Sequence, residues 1–490
     1  MLNTIKKKRQ ITAVFAFCVC IIAIIARLFY LQIVQYPNLK DKADLQHTTV
    51  IQLAANRGII YDRNNRILAS NIGSYSVYAV SKDIDNEEEI AAILSHILNV
   101  DEEITKERLG KKKSFVWIKR KISEEELANL RKANIPNIGF IEEPKRFYPN
   151  TYLGCHLIGF TDIDLRGIEG IELSYNKYLS GRDGWRRVLR DARGTPVPAL
   201  GECLPPRDGY GLILTVDEFI QHIAEKEIDS IVTTYRPKSV MIIAMDPNTG
   251  QILAMANYPR FDSNNYKNTA PEFFKNRCLT DSIEPGSVFK VITASAVLEE
   301  GVVSFDDKFD CENGSYKIGN RTLHDYRPYG TLTFREVIEK SSNIGTAKAA
   351  EKLGEKKLHS YVRKFGFGSL SGIDMPGEEN GIVRDVSKWS YVDMTTVPMG
   401  QGISCTALQL ANAVSAIANG GMLMRPYIVN KIINKEKNVI KEFSPKAIRK
   451  VMSPETASKV KELLYGVVKR GTGKKAGLDG YDACGKTGTA

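Results

Sequence analysis

The chain has 490 residues, of which 43% are hydrophobic and 26% are charged, ordinary values for a folded globular protein. This composition excludes an intrinsically disordered chain, and the length suggests two or three domains. Lys and Arg exceed Asp and Glu by 68 − 57 = 11, which suits an anionic partner such as the bacterial envelope or a lipid head group. Nucleic acid is the alternative partner, but no recognised nucleic-acid-binding motif supports it.

The N-terminal segment predicts a membrane anchor. Lys6 to Arg9 form a basic cluster, and the residues that follow, 11–34, are mostly apolar. About 20 residues span a bilayer, and the positively charged flank stays in the cytoplasm. We therefore predict a cytoplasmic tail at 1–10, a single transmembrane helix at 11–34 and an extracytoplasmic location for the bulk of the chain. A cleaved signal peptide is the alternative, but no small-x-small cleavage site follows the apolar run.

Residues 40–205 are predicted to form an elongated α+β stem, or pedestal, domain. Arg57 to Leu68 has the pattern of two strands joined by an Asn-Asn turn. Helical patterns follow at Glu87 to Leu98 and at Ser123 to Ala133. Four prolines and two glycines between Arg193 and Asp208 mark the boundary to the next domain.

Residues 211–490 are predicted to form a second domain of the α+β class. It begins with a strand at Gly211 to Asp217, whose last residue caps a helix. A hairpin follows, with strands Val240 to Met245 and Gln251 to Ala256 around a turn that contains proline and glycine. Strands, then helices, then a final strand at Lys486 predict an antiparallel sheet covered by helices.

The second domain carries three short motifs in the order of a serine acyl-transfer site. They are Ser287-x-x-Lys290, Ser341-Ser342-Asn343 and Lys486-Thr487-Gly488. Each is weak alone, because such patterns are usually a helix cap, a turn and a solvated hairpin. The first also recurs at Ser174 with Lys177 and at Ser458 with Lys461. All three in order, each in a suitable local context, favour catalysis.

The residue types in these motifs point to one chemistry. A serine hydroxyl needs a base, and Ser287 is predicted to open a helix on which Lys290 lies one turn further along the same face. Lys486 would keep Lys290 neutral, since burial and a like charge both lower a lysine pKa. On a turn between two helices, Ser341 can relay a proton and Asn343 can hold a substrate amide.

A competing motif overlaps the third one. Gly480 to Thr487 matches the phosphate-loop pattern G-x-x-x-x-G-K-[ST]. A phosphate loop joins a buried strand to a helix, yet Lys474 to Asp479 does not have the pattern of a buried strand. A nucleotide site is therefore not favoured.

The cysteines and histidines predict neither a disulfide framework nor a metal site. Cys18 and Cys20 fall in the anchor, and the other six cysteines are widely scattered. No cysteine or histidine cluster has metal-ligand spacing, so we predict no metal and no cofactor. Strand alternation would place Cys484 on the same face as Lys486, although a small packed side chain is the alternative interpretation.

On these motifs the chain resembles the class B penicillin-binding proteins, the membrane-anchored transpeptidases that cross-link peptidoglycan. The sporulation type (stage V sporulation protein D) and the division type are more similar to it than the elongation enzymes. Residues 40–205 would then be the dimerisation-type stem and 211–490 the transpeptidase domain. Beyond the three motifs, the resemblance rests on Arg57-Gly58, Asp62-Arg63-Asn64, Gly159-Phe160, Gly167 to Glu172, Asp246-Pro247 through Met255, Asn276-Arg277 and Gly400-Gln401-Gly402.

The resemblance implies a role for each motif residue. Ser287 would attack the carbonyl between the two terminal D-alanines of a stem peptide, release D-alanine and pass the acyl group to an amine of a neighbouring strand. Lys290 would be the base, Ser341 the proton relay and Asn343 an amide contact. The backbone N–H groups of Ser287 and Thr489 would form the oxyanion hole. The residues implied around the terminal carboxylate of the substrate are Lys486, Thr487, Gly488 and Thr489.

The resemblance also implies that β-lactams acylate Ser287 as substrate mimics. The implied partner is a membrane glycan polymerase of the SEDS type, in septal or spore-cortex wall synthesis. The alternatives are a β-lactamase or β-lactam sensor, a D,D-carboxypeptidase, and a non-catalytic scaffold for a glycan polymerase.

One departure from the family concerns the C-terminus. The sequence stops at Ala490, directly after the third motif, where family members continue with further strands and a helix. A sheet without those strands would expose an unpaired edge. We therefore expect an incomplete sheet and a chain that is unstable or inactive.

Overall fold

The computed structural model describes residues 2–40, 48–190, 196–197, 202–319 and 321–489. The chain divides into two compact units, one of residues 1–55 with 182–207 and one of residues 56–181 with 208–490. In the described residues, the helices are Leu2–Phe29 (α1), Glu87–Leu98 (α2), Glu102–Gly110 (α3), Glu124–Ala133 (α4), Cys155–Ile158 (α5), Gly170–Ser174 (α6), Asn176–Leu179 (α7), Glu218–Tyr235 (α8), Arg277–Thr280 (α9), Lys290–Glu299 (α10), Phe334–Glu339 (α11), Asn343–Leu353 (α12), Glu355–Lys364 (α13), Asp393–Thr396 (α14), Ala407–Ala418 (α15) and Pro454–Lys469 (α16).

The strands of the same described residues are mostly short. They are Thr48–Leu53 (β1), Ile60–Tyr61 (β2), Ile67–Ala79 (β3), Val116–Ile122 (β4), Ile138–Phe147 (β5), Gly184–Arg190 (β6), Pro196–Val197 (β7), Cys203–Leu204 (β8), Gly211–Leu214 (β9), Val240–Met245 (β10), Ile252–Tyr258 (β11), Lys308–Asp310 (β12), Ser315–Ile318 (β13), Arg321–His324 (β14), Thr331–Thr333 (β15), Met422–Met424 (β16), Val429–Ile433 (β17), Val439–Glu442 (β18) and Ala447–Lys450 (β19).

The smaller unit contains the N-terminal helix and a small sheet. Ile5–Val34 is a continuous helical segment of 30 residues that contains an 18-residue stretch with a mean hydropathy of 2.6, so it is long and apolar enough to cross a bilayer. The anchor predicted at 11–34 falls inside this segment. In the sheet, β6 pairs antiparallel with β1, β7 and β8.

The larger unit contains a sheet that runs in the order β18-β17-β9-β2-β3-β4, with β5 also paired to β3. Its pairs are antiparallel except for β2 with β9, where Ile60 lies beside Leu212 in parallel register. The sheet therefore combines strands from both of the domains predicted from the sequence. The predicted domain limits at 205 and 211 stay a prediction.

The local predictions for the stem are confirmed. The strands β2 and β3 pair antiparallel around the turn at Asp62, whose carboxylate accepts hydrogen bonds from Asn64 N (2.7 Å) and Arg66 N (2.8 Å). Glu87–Leu98 is a helix as predicted. Ser123 caps α4, the second helix predicted for the stem, with its hydroxyl and the carboxylate of Glu126 each accepting a backbone N–H of the other residue.

A charged cluster lies in the core of the stem. Glu172 has a side chain 0% exposed and forms ion pairs with Arg57 Nε (2.5 Å) and Arg146 Nε (2.7 Å). Arg57 also donates to Asn176 Oδ1 (2.8 Å), and the Tyr148 hydroxyl donates to Glu172 (3.3 Å). Buried charges persist only when they are paired and hydrogen-bonded, so this cluster explains why Arg57 and Glu172 belong to the segments that carry the family resemblance.

The second half confirms the predicted hairpin and its covering helix. β10 and β11 pair antiparallel, and Gly250 closes their turn with φ +79°. Asp217 caps α8 by accepting from Phe219 N at 3.0 Å, and this helix packs on the hairpin. α10 lies in the centre of the largest apolar cluster, between α12 and α16. The antiparallel strands covered by helices thus confirm the α+β class.

The strand predicted at Lys486 is wrong. Residues 482–489 have no regular secondary structure, and in this described segment Gly485 N donates to Leu464 O of α16 at 3.2 Å. A strand forms only where a neighbouring strand offers ladder partners, and no strand within the described residues pairs with this segment. The prediction that Cys484 and Lys486 lie on the same face depended on strand alternation, so it does not hold without the strand. Cys484 is exposed.

Candidate active site

Ser287 lies on a tight turn that leads into a buried helix. Gly286–Phe289 form a 3₁₀ helix, and α10 continues from it, so Ser287 opens the helix as predicted. Gly286 N donates to Gly400 O (3.1 Å), and a Cβ on Gly400 would lie 2.3 Å from Gly286 O. Only glycine permits this approach, which accounts for Gly400 in the segments that carry the resemblance. The turn leaves the Ser287 side chain half-buried.

The ammonium group of Lys290 is fully buried and fully hydrogen-bonded. Lys290 is 0% exposed, and its Nζ donates to Ser341 O (2.6 Å), Ser341 Oγ (3.2 Å) and Asn343 Oδ1 (2.7 Å). These three acceptors use all three donors of an ammonium group. No hydrogen bond joins Lys290 to Ser287 Oγ in these described residues, so the direct contact expected from their spacing is not made in this arrangement.

The environment of Lys290 favours its neutral form. Burial, and to a lesser extent the positive charge of Lys486, lower the pKa of Lys290 from 10.5 to about 7, while the charge of Asp325 acts in the opposite direction. Both causes were expected from the sequence, which named Lys486 as the group that keeps Lys290 neutral. In the structure, burial lowers the pKa more than the charge of Lys486 does. A lysine with a pKa near 7 is well suited to act as a general base.

The second motif forms the interhelical turn that was predicted. Ser341 has φ +59° between α11 and α12, and Ser342 caps the second of these helices by accepting from Gly345 N at 3.0 Å. Asn343 holds its amide in place by donating to His324 O at 2.8 Å. The turn therefore directs the Ser341 hydroxyl and the Asn343 carbonyl oxygen toward Lys290.

Lys486 completes a chain of three polar groups. Its Nζ donates to Ser341 Oγ at 3.0 Å and to Thr487 O at 2.9 Å, and burial lowers its pKa to about 8. Ser341 Oγ thus accepts from two lysines, Lys290 and Lys486, which occupies both of its lone pairs. Its own O–H remains available to donate to a third group.

The rest of the third motif lies beside the serine turn. A Cβ on Gly488 would lie 2.5 Å from Val288 Cγ2, so the backbone of the motif passes close to Ser287. Thr487 Oγ1 is 2.7 Å from Thr472 Oγ1, and Thr489 is exposed. The structure brings all the predicted site residues into one region. Within the described residues, the direct hydrogen bond expected between Ser287 and Lys290 is not formed.

Sequence reasoning missed Asp325, which supports the second motif. Its carboxylate accepts from Ser342 Oγ (2.6 Å), Ile344 N (3.1 Å) and Asn343 N. It therefore stabilises the N-terminus of α12, where a negative charge is favourable. Asp325 is distant from the motif in sequence, and no local pattern marks it.

Thr472 was missed as well. Its position depends on Glu339, whose backbone oxygen accepts a hydrogen bond from Thr472 N (3.2 Å). The side chain of Glu339 is buried and forms an ion pair with Arg470 (2.5 Å). The Gly-Thr-Gly sequence at 471–473 was a possible signal, because a Cβ on Gly471 would lie 2.2 Å from Glu339 O.

The competing patterns found in the sequence do not form sites. Ser174 and Lys177 are exposed, as are Ser458 and Lys461 on α16. The segment that matches the phosphate-loop pattern has no buried strand before it. Within described residues 474–489, the only helix is the single 3₁₀ turn Lys474–Ala476.

Comparison with known families identifies the class of protein. Residues 240–490 match the family described as Penicillin binding protein transpeptidase domain, and residues 52–214 match the Penicillin-binding Protein dimerisation domain. The chain belongs to the penicillin-binding protein transpeptidases, as the resemblance predicted.

Individual relatives refine this assignment. Stage V sporulation protein D of Bacillus subtilis (strain 168) is 34% identical over 495 residues, with 99% of this chain and 76% of that protein covered. Peptidoglycan D,D-transpeptidase FtsI of Escherichia coli (strain K12) is 30% identical, with coverage of 96% and 80%. Penicillin binding protein 3 of Mycobacterium tuberculosis, solved with ampicillin, superposes with a TM-score of 0.68 at 28% identity, with coverage of 90% and 82%. One of these relatives is named as a stage V sporulation protein, the sporulation type that was expected.

Proposed function

We propose that this protein is a serine D,D-transpeptidase that cross-links peptidoglycan stem peptides through an acyl-enzyme on Ser287. Its family and the names of its relatives support this activity. The observation that carries the proposal is the environment of Lys290, a buried amine with a pKa of about 7 that contacts Ser341 and Asn343. Such an amine can be neutral at physiological pH and can accept a proton.

Acylation requires the net transfer of one proton from Ser287 to the leaving amine, relayed by Lys290 and Ser341. Ser287 Oγ attacks the carbonyl carbon of the penultimate D-alanine, and its proton passes to neutral Lys290. When the peptide C–N bond breaks, the Ser341 hydroxyl donates its proton to the leaving amine and receives one from Lys290, 3.2 Å away. Lys290 is then neutral again, D-alanine leaves, and the acyl group is esterified to Ser287. Catalytic hydrogen bonds often tighten only with substrate bound, so the missing contact between Ser287 and Lys290 is compatible with this role.

The second half of the reaction uses the same groups in reverse. The amine of a neighbouring stem peptide attacks the ester, gives its proton to the Ser341 and Lys290 pair, and releases the Ser287 hydroxyl. The terminal carboxylate of the donor peptide would bind Lys486, Thr487 and Thr489. Lys486 must be an ammonium for that contact, whereas Lys290 must be neutral, and their different pKa values, about 8 and about 7, permit both states at once.

Two further groups would stabilise the reaction. The backbone N–H groups of Ser287 and Thr489 would donate to the developing oxyanion, and the close approach of Gly488 to Val288 supports this assignment. Asn343 would contact the amide of the substrate. β-Lactams would acylate Ser287 by the same attack on a strained amide. No observation favours the β-lactamase, sensor, carboxypeptidase or scaffold alternatives.

We also propose that the short N-terminus is cytoplasmic and that residues from about 36 onward lie outside the membrane. The basic cluster Lys6 to Arg9 precedes the apolar helix, and such a flank stays inside. In this orientation the transpeptidase domain, placed at 211–490, faces the wall. A membrane glycan polymerase of the SEDS type would supply the glycan strands, for the septum or the spore cortex.

The test is covalent labelling by a fluorescent penicillin, with the labelled residue located by mass spectrometry. Wild-type protein is expected to carry the adduct on Ser287, a result that would contradict the unstable or inactive chain expected from the sequence, and Ser287→Ala is expected to lose labelling. Ser458→Ala is the matched control, since Ser458 has the same Ser-x-x-Lys spacing but is exposed on a helix, and it should label normally. Labelling of Ser287→Ala at the wild-type rate would overturn the proposal. Release of D-alanine with formation of cross-linked dimers then distinguishes transpeptidation from hydrolysis.

A further inference from the structure

A cavity apart from the active site lies in the stem, among residues matched to the dimerisation family. It has a volume of about 450 Å³ and lies between the C-terminal turn of α3 and strand β4. Arg108 and Lys113 contribute cationic side chains to its lining, and Phe115 and Trp117 contribute aromatic rings. The acyl-transfer chemistry proposed for Ser287 makes no use of these residues.

One wall of this cavity is a packed set of aromatic rings. Phe115 stacks on Tyr78 with ring centroids 4.9 Å apart and meets Trp117 edge-on at 4.8 Å. The guanidinium of Arg120 lies 5.4 Å from the centroid of the Trp117 ring. Phe115 nevertheless remains 41% exposed. The rings therefore hold one another in place and present an apolar surface to the cavity.

The charge around the cavity is strongly positive. Residues 108–121 contain seven Lys or Arg residues and no Asp or Glu. In the described residues, Arg108 donates to Ile118 O (2.9 Å) and has no carboxylate within ion-pair distance, and Lys113 has none either. The cations of this segment that have carboxylate partners are Lys111 with Glu107, Lys112 with Glu87, Lys119 with Glu126, and Arg120 with Glu143 and Asp164.

Protection of a sheet edge explains only part of this charge. β4 pairs with β3 alone among the described strands, and lysines on an edge strand discourage pairing with other chains. That explanation suits Lys119 and Lys121, which lie on the strand. Arg108 lies on α3 and Lys113 on the loop before β4, so the strand edge does not require them. Arg108 and Lys113 have no carboxylate partner in the described residues, and they lie beside the rings of Phe115 and Trp117. Such a site favours an anion that also has an apolar face.

We propose that this cavity binds a sugar acid, with the carboxylate contacting Arg108 and Lys113 and the sugar ring packing against Phe115 and Trp117. A pyranose ring has an apolar face that suits aromatic side chains, and a carboxylate accepts charge-assisted hydrogen bonds from Lys and Arg. Stretches of wall glycan whose stem peptides have been removed expose muramic acid carboxylates and would supply such a ligand. The inference goes beyond the proposed function, because it adds a glycan site on the stem that takes no part in acylation.

The test compares two sugars that differ in one group. N-Acetylmuramic acid is N-acetylglucosamine with a lactyl carboxylate, so the pair isolates the contribution of the charge. Binding to the full chain in detergent is measured by ligand-observed NMR, with lactate, inorganic phosphate and an oligothymidylate as further probes. We expect N-acetylmuramic acid to bind about tenfold tighter than N-acetylglucosamine, the ratio that about 1.4 kcal/mol provides.

Variants locate the site. Arg108→Gln with Lys113→Gln should remove the preference for N-acetylmuramic acid, and Arg108→Lys with Lys113→Arg should retain it. Lys132→Gln with Lys226→Gln is the matched control, because it removes the same charge at exposed positions away from the cavity. Since loss of Arg108 also removes the donor to Ile118 O, Lys113→Gln alone is included, and thermal melting checks that each variant is folded.

The outcomes that overturn the proposal are distinct. Equal affinity for the two sugars in the wild type would exclude a role for the carboxylate. Lactate or phosphate binding as tightly as N-acetylmuramic acid would show attraction to cations without a sugar site. Tighter binding of the oligothymidylate would assign the cavity to nucleic acid instead. An unchanged preference in the folded Lys113→Gln variant would also contradict the proposal.

Discussion

Two buried groups of charges in this protein differ in the partners that surround the charge. In the stem, Glu172 lies between Arg57 and Arg146, so each buried charge has a partner of opposite sign. In the active site, Lys290 is equally buried but contacts neutral oxygen atoms and lies near a second cation, Lys486. The comparison shows that the partner, more than the depth of burial, decides whether a buried charge is structural or chemically active.

The physical reason is the cost of moving a charge out of water. A carboxylate offsets much of that cost for an arginine, and removing it leaves uncompensated charge in the core. Neutral acceptors offset less, so Lys290 loses its proton near pH 7 and can cycle between two protonation states. A substitution in the active-site group should therefore mainly lower the acylation rate, whereas a substitution in the stem group should mainly lower the free energy of unfolding.

The largest effect is expected for Lys290→Met, which removes the base. Acylation by a fluorescent penicillin should fall by about 10³-fold, within the range for loss of a general base. Stopped-flow or quenched labelling measures the rate. Lys461→Met is the control, since Lys461 occupies the same place in a Ser-x-x-Lys pattern on an exposed helix face and should label normally.

The same variant also tests the origin of the lowered pKa. Because the pKa of Lys290 is about 7 in the folded state and near 10.5 in the unfolded state, the unfolded chain binds more protons between these values. The free energy of unfolding of the wild type should therefore rise with pH in this window, by up to about 1.4 kcal/mol per pH unit, relative to Lys290→Met. A constant difference across the window would contradict a buried neutral amine.

Glu172→Gln should produce the largest loss of stability. It leaves Arg57 and Arg146 buried without a countercharge, and we expect the free energy of unfolding to fall by about 3–5 kcal/mol. Urea unfolding measures this change, and Glu142→Gln, at an exposed position on β5, should have little effect. The acylation rate per folded molecule should stay at the wild-type value. A parallel loss of stability and acylation rate would make the two charged groups one functional unit.

The pH dependence of acylation should be bell-shaped. The rate should fall about tenfold per pH unit below about 7, because protonated Lys290 cannot accept a proton from Ser287. It should fall again above about 8, as Lys486 loses the charge that binds the substrate carboxylate. The two apparent pKa values belong to the coupled pair of lysines. A rate that is flat between pH 6 and pH 9 would exclude this assignment.

The smallest effect is expected for Asp325→Asn. The negative charge of Asp325 raises the pKa of Lys290, so its removal should move the acidic limb of the profile to lower pH. Loss of the charge at the N-terminus of α12 should also slow acylation several-fold, at a cost of about 1 kcal/mol. Asp306→Asn, at an exposed position, is the control and should leave the profile unchanged. An unshifted limb would show that Asp325 acts through geometry alone.

The sequence by itself determined what depends on neighbouring residues. The hairpin turn at Asp62, the capping box at Ser123 and the helix that Ser287 opens all follow from short patterns, because turns and caps are satisfied within a few residues. The three motifs also named the chemistry, and burial with a second cation was expected to lower the pKa of Lys290.

Only the tertiary structure decided what depends on residues far apart in the chain. The distances from Lys290 to Ser341 and Asn343, the support from Asp325 and the pairing of Arg57 with Glu172 each join separate segments. The strand predicted at Lys486 was wrong for the same reason, since a local pattern cannot state whether a neighbouring strand is present. Burial and long-range hydrogen bonds exist only in the folded chain, and they set the protonation states on which the proposed reaction depends.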